Sequence, residues 1–345
     1  MNGTEKPNVL KKLLAQREAT VFLIIVLVVA IVSIMEPNFL NPSNLSSIAT
    51  AVSTDGLLAI GLCIVLILGG IELSVGGVAA MTCVITGYLC LAGVNVWIAC
   101  LASMAAGVLV GLFNGFMISK VGLPPFIVTL SMMNLSRGIA YILTEGSPLS
   151  LSGYLPDEFR GLATGDIFGV PMLFVIFVLV TIVAHILTRK SNLCRNIFFV
   201  GSNENAAKLS GINVDKVKIA VYVAVALLST LAGILSLGRF NVATPELSKG
   251  AETTAISAAV IGGTSMAGGV GSILGTFMGI ILLKVVNSAL VALDVSVYWQ
   301  NFVQGAILVI AVTMDYMSHR KKGTASPFMK FLGLDKLGKK KEKAA

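Results

Sequence analysis

The sequence predicts an all-α fold: a polytopic transmembrane helical bundle of about ten spans, with N- and C-termini cytosolic and with glycine-broken helices. Three observations carry that reading. Apolar runs long enough to cross a bilayer recur along the 345 residues, and a crossing takes about 20 apolar residues as a helix that satisfies its own backbone groups. The chain is 56% apolar and 12% charged, with a mean hydropathy of +0.90, which leaves too little polar surface to cover a water-soluble domain. The basic residues, finally, crowd into a few of the gaps between the apolar runs.

Lys6, Lys11, Lys12 and Arg17 precede the first run, Thr20 to Met35. It stops at Met35-Glu36-Pro37 without a small-x-small cleavage pattern, so it is expected to remain as a first membrane helix after a cytosolic segment, residues 1–19. Apolar continuity and Gly, Pro or charged interruptions place further spans at Ile48 to Leu68, Ser74 to Leu91, Val96 to Ile118 and Phe126 to Leu143. The second half gives Phe168 to Thr188, Ile219 to Leu237, a short run from Thr254 to Ile261, then Val270 to Leu290 and Tyr298 to Asp315. The transmembrane domain is thus expected over residues 20–315, with a cytosolic loop over 189–218 and a basic cytosolic tail over 316–345.

Alternating the spans from a cytosolic N-terminus puts Lys120, the loop bearing Arg189, Lys190, Arg195, Lys208, Lys216 and Lys218, and the lysine-rich tail on the inside. Of the 25 Lys and Arg, only Arg137, Arg160, Arg239, Lys249 and Lys284 fall elsewhere. The outer loops hold Glu36, Glu145, Asp157, Glu158, Asp166, Glu246, Glu252 and Asp294. The net charge of +8 therefore reads as orientation, with the tail against lipid headgroups or solvent, and not as nucleic-acid binding.

Several chemistries lack their residues. Neither Cys-x-x-Cys nor a His-rich cluster occurs, so no metal site is expected. His185 has no paired serine motif, so no catalytic residue is assigned. The phosphate loop G-x-x-x-x-G-K-[ST] is absent, so any ATP drive comes from another polypeptide.

The run from Thr254 to Ile261 is too short to cross alone before Gly262, Gly263, Gly268 and Gly269 interrupt it. Gly69-Gly70 and Gly76-Gly77 interrupt the first half in a related way. The paired breaks fit either half-helices of an internal repeat or glycines that permit close helix packing. Within the spans Arg137 and Lys284 stand out, each as pathway lining or as a structural partner: a helix-helix ion pair, or for Lys284 a side chain reaching the interface. The cytosolic loop reads R-N-I-F-F-V-G-S-N-E-N-A-A-K-L-S-G-I-N-V-D-K-V-K from Arg195 to Lys218. Ser202 or Asn203 caps a short helix there and Gly211 stops it, with Ala206, Ala207, Ser210 and Gly211 small enough for close approach by another protein.

That loop, with G-L-P-P-F-I-V-T-L from Gly122, G-G-I-E-L-S-V-G from Gly69 and A-I-S-A-A-V-I-G-G-T-S-M-A-G-G-V-G-S-I-L-G-T from Ala255, resembles the ribose-type permeases of bacterial ABC sugar importers. The resemblance runs from about Thr20 to Asp315. It departs at Glu72, where the family usually has Asp. It implies a multi-pass protein of the bacterial cytoplasmic (inner) membrane, working as a homo- or heterodimeric pair of permeases with a cytosolic ATPase and an extracytoplasmic sugar-binding protein. No cofactor is bound by this chain, ATP and Mg being used by the ATPase. The matching loop is the family's coupling helix, which assigns ATPase contact to Asn203, Glu204, Ala206, Ala207, Ser210 and Gly211. The expected cargo is a monosaccharide such as ribose, galactose or xylose, delivered at the outer loops Gly146 to Asp166 and Thr244 to Glu252.

Candidate pathway residues are Arg137, Ser131, Asn134, Ser257, Thr264, Ser265 and Asn287, since polar groups at membrane depth favour bundle interiors. The rival readings are a nucleotide-independent secondary transporter or channel, and a membrane scaffold that transports nothing.

Overall fold

A computed structural model describes residues 17–319. The expectations for the lysines of residues 1–16 and for the tail beyond residue 319 lie outside the described residues.

The elements run α1 (Arg17–Met35), a 3-10 turn (Pro37–Leu40), α2 (Pro42–Ile67), α3 (Val75–Leu91) and α4 (Val96–Phe116), which a π-helical turn (Met117–Val121) extends. Then follow α5 (Pro125–Thr144), β1 (Leu149–Ser150), α6 (Asp157–Thr164), β2 (Asp166–Ile167), β3 (Val170–Pro171), α7 (Met172–Lys190), α8 (Asn192–Ser202) and α9 (Glu204–Leu209). The chain continues through α10 (Val214–Phe240), β4 (Val242–Ala243), α11 (Ala251–Ile261), α12 (Ile273–Ala292) and α13 (Val297–His319). Eight of these helices are long and apolar enough to cross a membrane, and α3 and α11 are shorter apolar helices. The expected ten spans thus correspond to eight full-length helices and two short ones.

The core follows from which helices can be approached closely. The stretch of α2 from Val52 onward is almost wholly buried and packs against α7, α10, α11 and α12. At Gly56 there is room only for hydrogen, because Phe177 of α7 lies against it. Phe177 in turn stacks on Phe277 of α12, with ring centroids 5.3 Å apart. On α4 the stripe Gly107, Gly111, Gly115 faces α10, where a methyl at Gly115 would stand 2.7 Å from the Ile219 Cα. Small residues at four-residue spacing let two backbones touch, the geometry that membrane helices use in place of a hydrophobic drive. By contrast α1, α7 and α13 turn apolar side chains outward, as helices facing lipid do.

Several boundaries differ from the sequence reading, α2 starting already at Pro42 and α10 at Val214. A helix from Phe168 is replaced by the β2-β3 hairpin, with Phe168 at φ 52° and Gly169 at φ 79°, and α7 starts only after Pro171 because the residue preceding a proline is disfavoured in the α region. The span expected from Val270 begins at Ile273, capped by Ser272, since the glycine run before it costs too much backbone entropy to stay helical. Two amphipathic helices, α6 and α8, lie in segments read as loops. Outside the bundle β1 pairs antiparallel with β4, Leu149 opposite Ala243, which ties the two outer loops into one unit.

Candidate functional site

The short helix α9 is set by its ends. Asn203 is extended (φ −161°), and its Oδ1 accepts the Ala206 N–H at 2.9 Å. Gly211 ends the helix at φ 81°, where its N–H reaches the Lys208 carbonyl at 3.0 Å and the Ile212 N–H reaches Ala207 at 3.1 Å. Glu204 pairs with Lys208 and with Lys218 of α10, both at 2.8 Å. Hydrogen bonds from Lys208 first, then Lys218, hold the Glu204 carboxyl below the usual carboxylate range. The same partnership raises the Lys208 ammonium. Of the six residues expected to meet an ATPase, Ala207 is buried in the core and Glu204 is half-buried in these pairs. Asn203, Ala206, Ser210 and Gly211 are exposed, together with Leu209, whose residue is 91% exposed. An apolar side chain standing free on so short a helix is the feature that the sequence reading passed over.

The root of α9 touches both glycine breaks. Gly201, near the end of α8, packs so tightly on the Ile67 carbonyl that a methyl would overlap it, and that methyl would stand 2.7 Å from the Gly269 nitrogen. The Gly269 N–H donates to the same Ile67 carbonyl at 2.8 Å. Beside them, a methyl on Gly268 would stand 2.7 Å from the Gly201 carbonyl and 2.9 Å from the Gly69 Cα. Gly69, Gly268 and Gly269, from breaks far apart in sequence, thus meet in one backbone cluster around Gly201, while Gly70 faces Tyr222 and Val65. The other glycines serve elsewhere: Gly76 lies against the Ser248 carbonyl, Gly77 against the Met133 backbone and Gly262 against Gly275, while Gly263 turns the chain at φ 92°.

A cavity of about 520 Å³ separates α9 from the first break, lined by Gly69, Gly70, Tyr222, Glu204, Lys208, Lys218 and the Gly122 to Pro125 turn. Above it Glu72 is buried. Its Oε1 accepts the Ser74 N–H and Oγ–H, both at 2.6 Å, and its Oε2 accepts from Asn114 Nδ2 at 3.1 Å. Thr129 and Tyr222 both donate to the Ile71 carbonyl at 3.4 Å. A buried carboxylate is tolerable only with such bonds. Asn114 and Tyr222 looked like ordinary span residues in sequence, because nothing local marks them as partners of a segment so far away.

The candidate pathway residues do not converge. Ser131 and Asn134 lie exposed on α5. Arg137, one turn on, donates to the carbonyls of Pro245 at 2.5 Å and Leu247 at 2.8 Å, so it clamps the outer loop before α11; Tyr141 joins by donating to Glu246. Ser257 lines a second cavity, beside an ion pair between Lys284 and Asp55. Of the accounts of Lys284, the helix-helix ion pair is observed, and the pair also borders that cavity. Thr264 meets Cys63 at 3.3 Å, Ser265 donates to Asp315 at 3.4 Å and Asn287 is half-buried on α12.

These features define a polytopic helical membrane protein with loops tied together at one end, glycine-broken helices and a short exposed helix, α9. Residues 44–312 match the family described as "Branched-chain amino acid transport system / permease component", and the chain belongs to that family. It is therefore the permease subunit of a transport system, a multi-pass protein of the cytoplasmic membrane. It is 38% identical over 293 residues, 84% of this chain and 91% of the other, to the ribose import permease protein RbsC of Escherichia coli (strain K12). The ribose import permease of Bacillus subtilis (strain 168) is 36% identical over 294 residues, 85% and 91% of the two chains. The D-allose transport system permease protein AlsC of Escherichia coli (strain K12) is 34% identical over 299 residues, 85% and 90%. No solved structure matches the chain.

Proposed function

We propose that a pair of these chains forms the translocation pathway of an ATP-driven importer that takes up a monosaccharide from an extracytoplasmic binding protein. The observation that carries the proposal is the contact of Gly201 with both glycine breaks, directly before α9. A cytosolic ATPase that grips Asn203, Ala206, Leu209, Ser210 and Gly211 moves α9, and α8 passes the displacement to the end of α2 and to the glycine segment between α11 and α12. Glycine-broken helices have few side chains to repack there, so the breaks are where the bundle changes between outward-open and inward-open forms.

The other parts take roles consistent with this. The relatives are permeases of ribose and allose systems, which favours a sugar over the branched-chain amino acid in the family's description. The loops tied by β1 and β4 and clamped by Arg137 receive the binding protein. Ser131, Asn134 and Tyr141 form an exposed polar stripe on α5, and polar groups at membrane depth face protein or water, not lipid. A second permease covers that stripe, and the solute passes along it. ATP is hydrolysed by the ATPase, which uses Mg for that step.

Proteoliposomes holding the permease, its ATPase and its binding protein test the reading. Sugar uptake is expected to require all three and ATP inside. Uptake undiminished when the ATPase is omitted would favour a nucleotide-independent transporter, and no flux with any combination would favour a scaffold.

A further inference from the structure

Asp55 and Lys284 sit near the middle of α2 and α12 and pair with one another. Beside them lies a cavity of about 430 Å³, walled by α2, α11, α12 and α13 and reaching Lys249 and Gly250 of the outer loop. Its volume is within the range of small-molecule sites, roughly 300–1,000 Å³. A single water occupies only about 30 Å³.

The lining is polar in a part of the protein where polarity needs a reason. Helix α13 turns Phe302, Val309 and Ile310 outward, yet Asn301, Gln304 and Gly305 of the same helix line the cavity. On the facing wall Ser257 gives its proton to the Thr253 carbonyl at 2.7 Å, which leaves its oxygen free to accept. Ionisable and amide groups at membrane depth gather round a hydrophilic path or ligand.

The charge balance narrows the ligand class. Lys284 and Asp55 neutralise one another, and Lys249 at the rim is held by Glu246 at 2.8 Å. Among the residues that line the cavity an anion or cation finds no opposite charge without a partner, and a zwitterion would have to break the central pair. Hydroxyl groups, which donate and accept at once, suit the two amides, Ser257 and the outer edges of the ion pair. We propose that the cavity between α2, α11, α12 and α13 is a binding site for a neutral polyhydroxylated solute of monosaccharide size, entered from the outer face. The assignment rests on the sugar-import reading and gives that cargo a site within one permease chain, apart from the α5 stripe.

The test is thiol protection in right-side-out vesicles carrying the complete transporter, with Gln304→Cys in a background lacking the native cysteines. A membrane-impermeant maleimide is expected to label it, and labelling is expected to slow at least several-fold with one of D-ribose, D-allose, L-arabinose or D-galactose, while leucine has no effect. Tyr298→Cys, at the outer end of the same helix and 86% exposed, should label at one rate throughout. Asn301→Cys serves as a second reporter should the first variant fail to insert. Equal rates with and without every sugar, or protection by leucine alone, would overturn the site. If ATP-dependent sugar uptake persists beside unprotected thiols, the site is wrong and the importer reading stands; uptake indifferent to the ATPase would remove the importer reading instead.

Discussion

At the scale of single residues, the inner face depends on what each side chain of α9 meets. Leu209 is expected to be the anchor: it is apolar, free in this chain and flanked by the small Ala206 and Ser210. A buried apolar anchor is worth about 2 kcal/mol or more in an interface, so Leu209→Asp should weaken ATPase assembly roughly 30-fold, read as the amount of ATPase retained on the immobilised permease. Glu204 has a sign that can be checked. Its carboxyl is held low by Lys208 and Lys218, so its contribution is complete above the ordinary carboxylate pKa of about 4.3 and is lost as pH falls through the lowered folded value. Lys208 is raised by the same contact and loses its contribution only as pH climbs through its folded value. Amide exchange of Ala206 to Gly211, corrected for intrinsic rates, should therefore be protected evenly around neutrality and lose protection on acidification; Glu204→Gln should abolish that acid step. The Asn203 cap and Gly211 stop were legible in the sequence, because capping is local chemistry. Leu209 was not, since an apolar residue in a short helix reads as core until the fold shows which way it turns.

Among the elements, the decisive contact is between α8 and the two breaks. Gly201→Ala places a methyl where the Ile67 carbonyl stands and should leave α9 exposed and able to bind the ATPase. Stimulation of ATP hydrolysis by the loaded binding protein is expected to drop, by at most the factor of about 5 to 150 typical of a coupling free energy between sites. Loss of assembly alongside loss of stimulation would place Gly201 in docking and not in transmission. Gly111 of α4 offers a structural contrast: Gly111→Val drives a side chain into the α10 backbone at Val223 and should cost about 1–3 kcal/mol by overpacking, seen as a lower unfolding temperature in detergent. The apolar spans themselves were legible because hydrocarbon demands long uninterrupted runs. Helices α6 and α8 were not. Both are short and amphipathic, and they exist because Phe159 and Ala163, or Ile197 and Val200, find a bundle surface to bury against. The paired glycines could be seen as breaks, but that Gly69 and Gly268 touch is a tertiary fact with no local signature.

Taken whole, the molecule is stiff outside and jointed inside. The outer rim is tied by the β1-β4 pair and by Arg137 on Pro245 and Leu247, a role for Arg137 that its position in a span did not reveal. At the α9 end of the bundle the pairs of Lys120 with Asp215, 2.6 Å apart, and of Lys208 with Glu204 are exposed and cheap to rearrange, while Lys218, the second partner of Glu204, is mostly covered. Sign asymmetry between the loops is the sequence's argument for the orientation, whereas the pathway candidates scattered because polarity in a membrane helix marks packing, a ligand site or a partner equally well. The most direct measurement places a cysteine at Ser210, in a chain lacking its native cysteines, and labels it with an impermeant reagent in sealed vesicles of each orientation. Labelling is expected only from the cytosolic side, and the bound ATPase should shield it. Labelling from outside, or labelling that the ATPase leaves unchanged, would contradict α9 as the handle through which transport is driven.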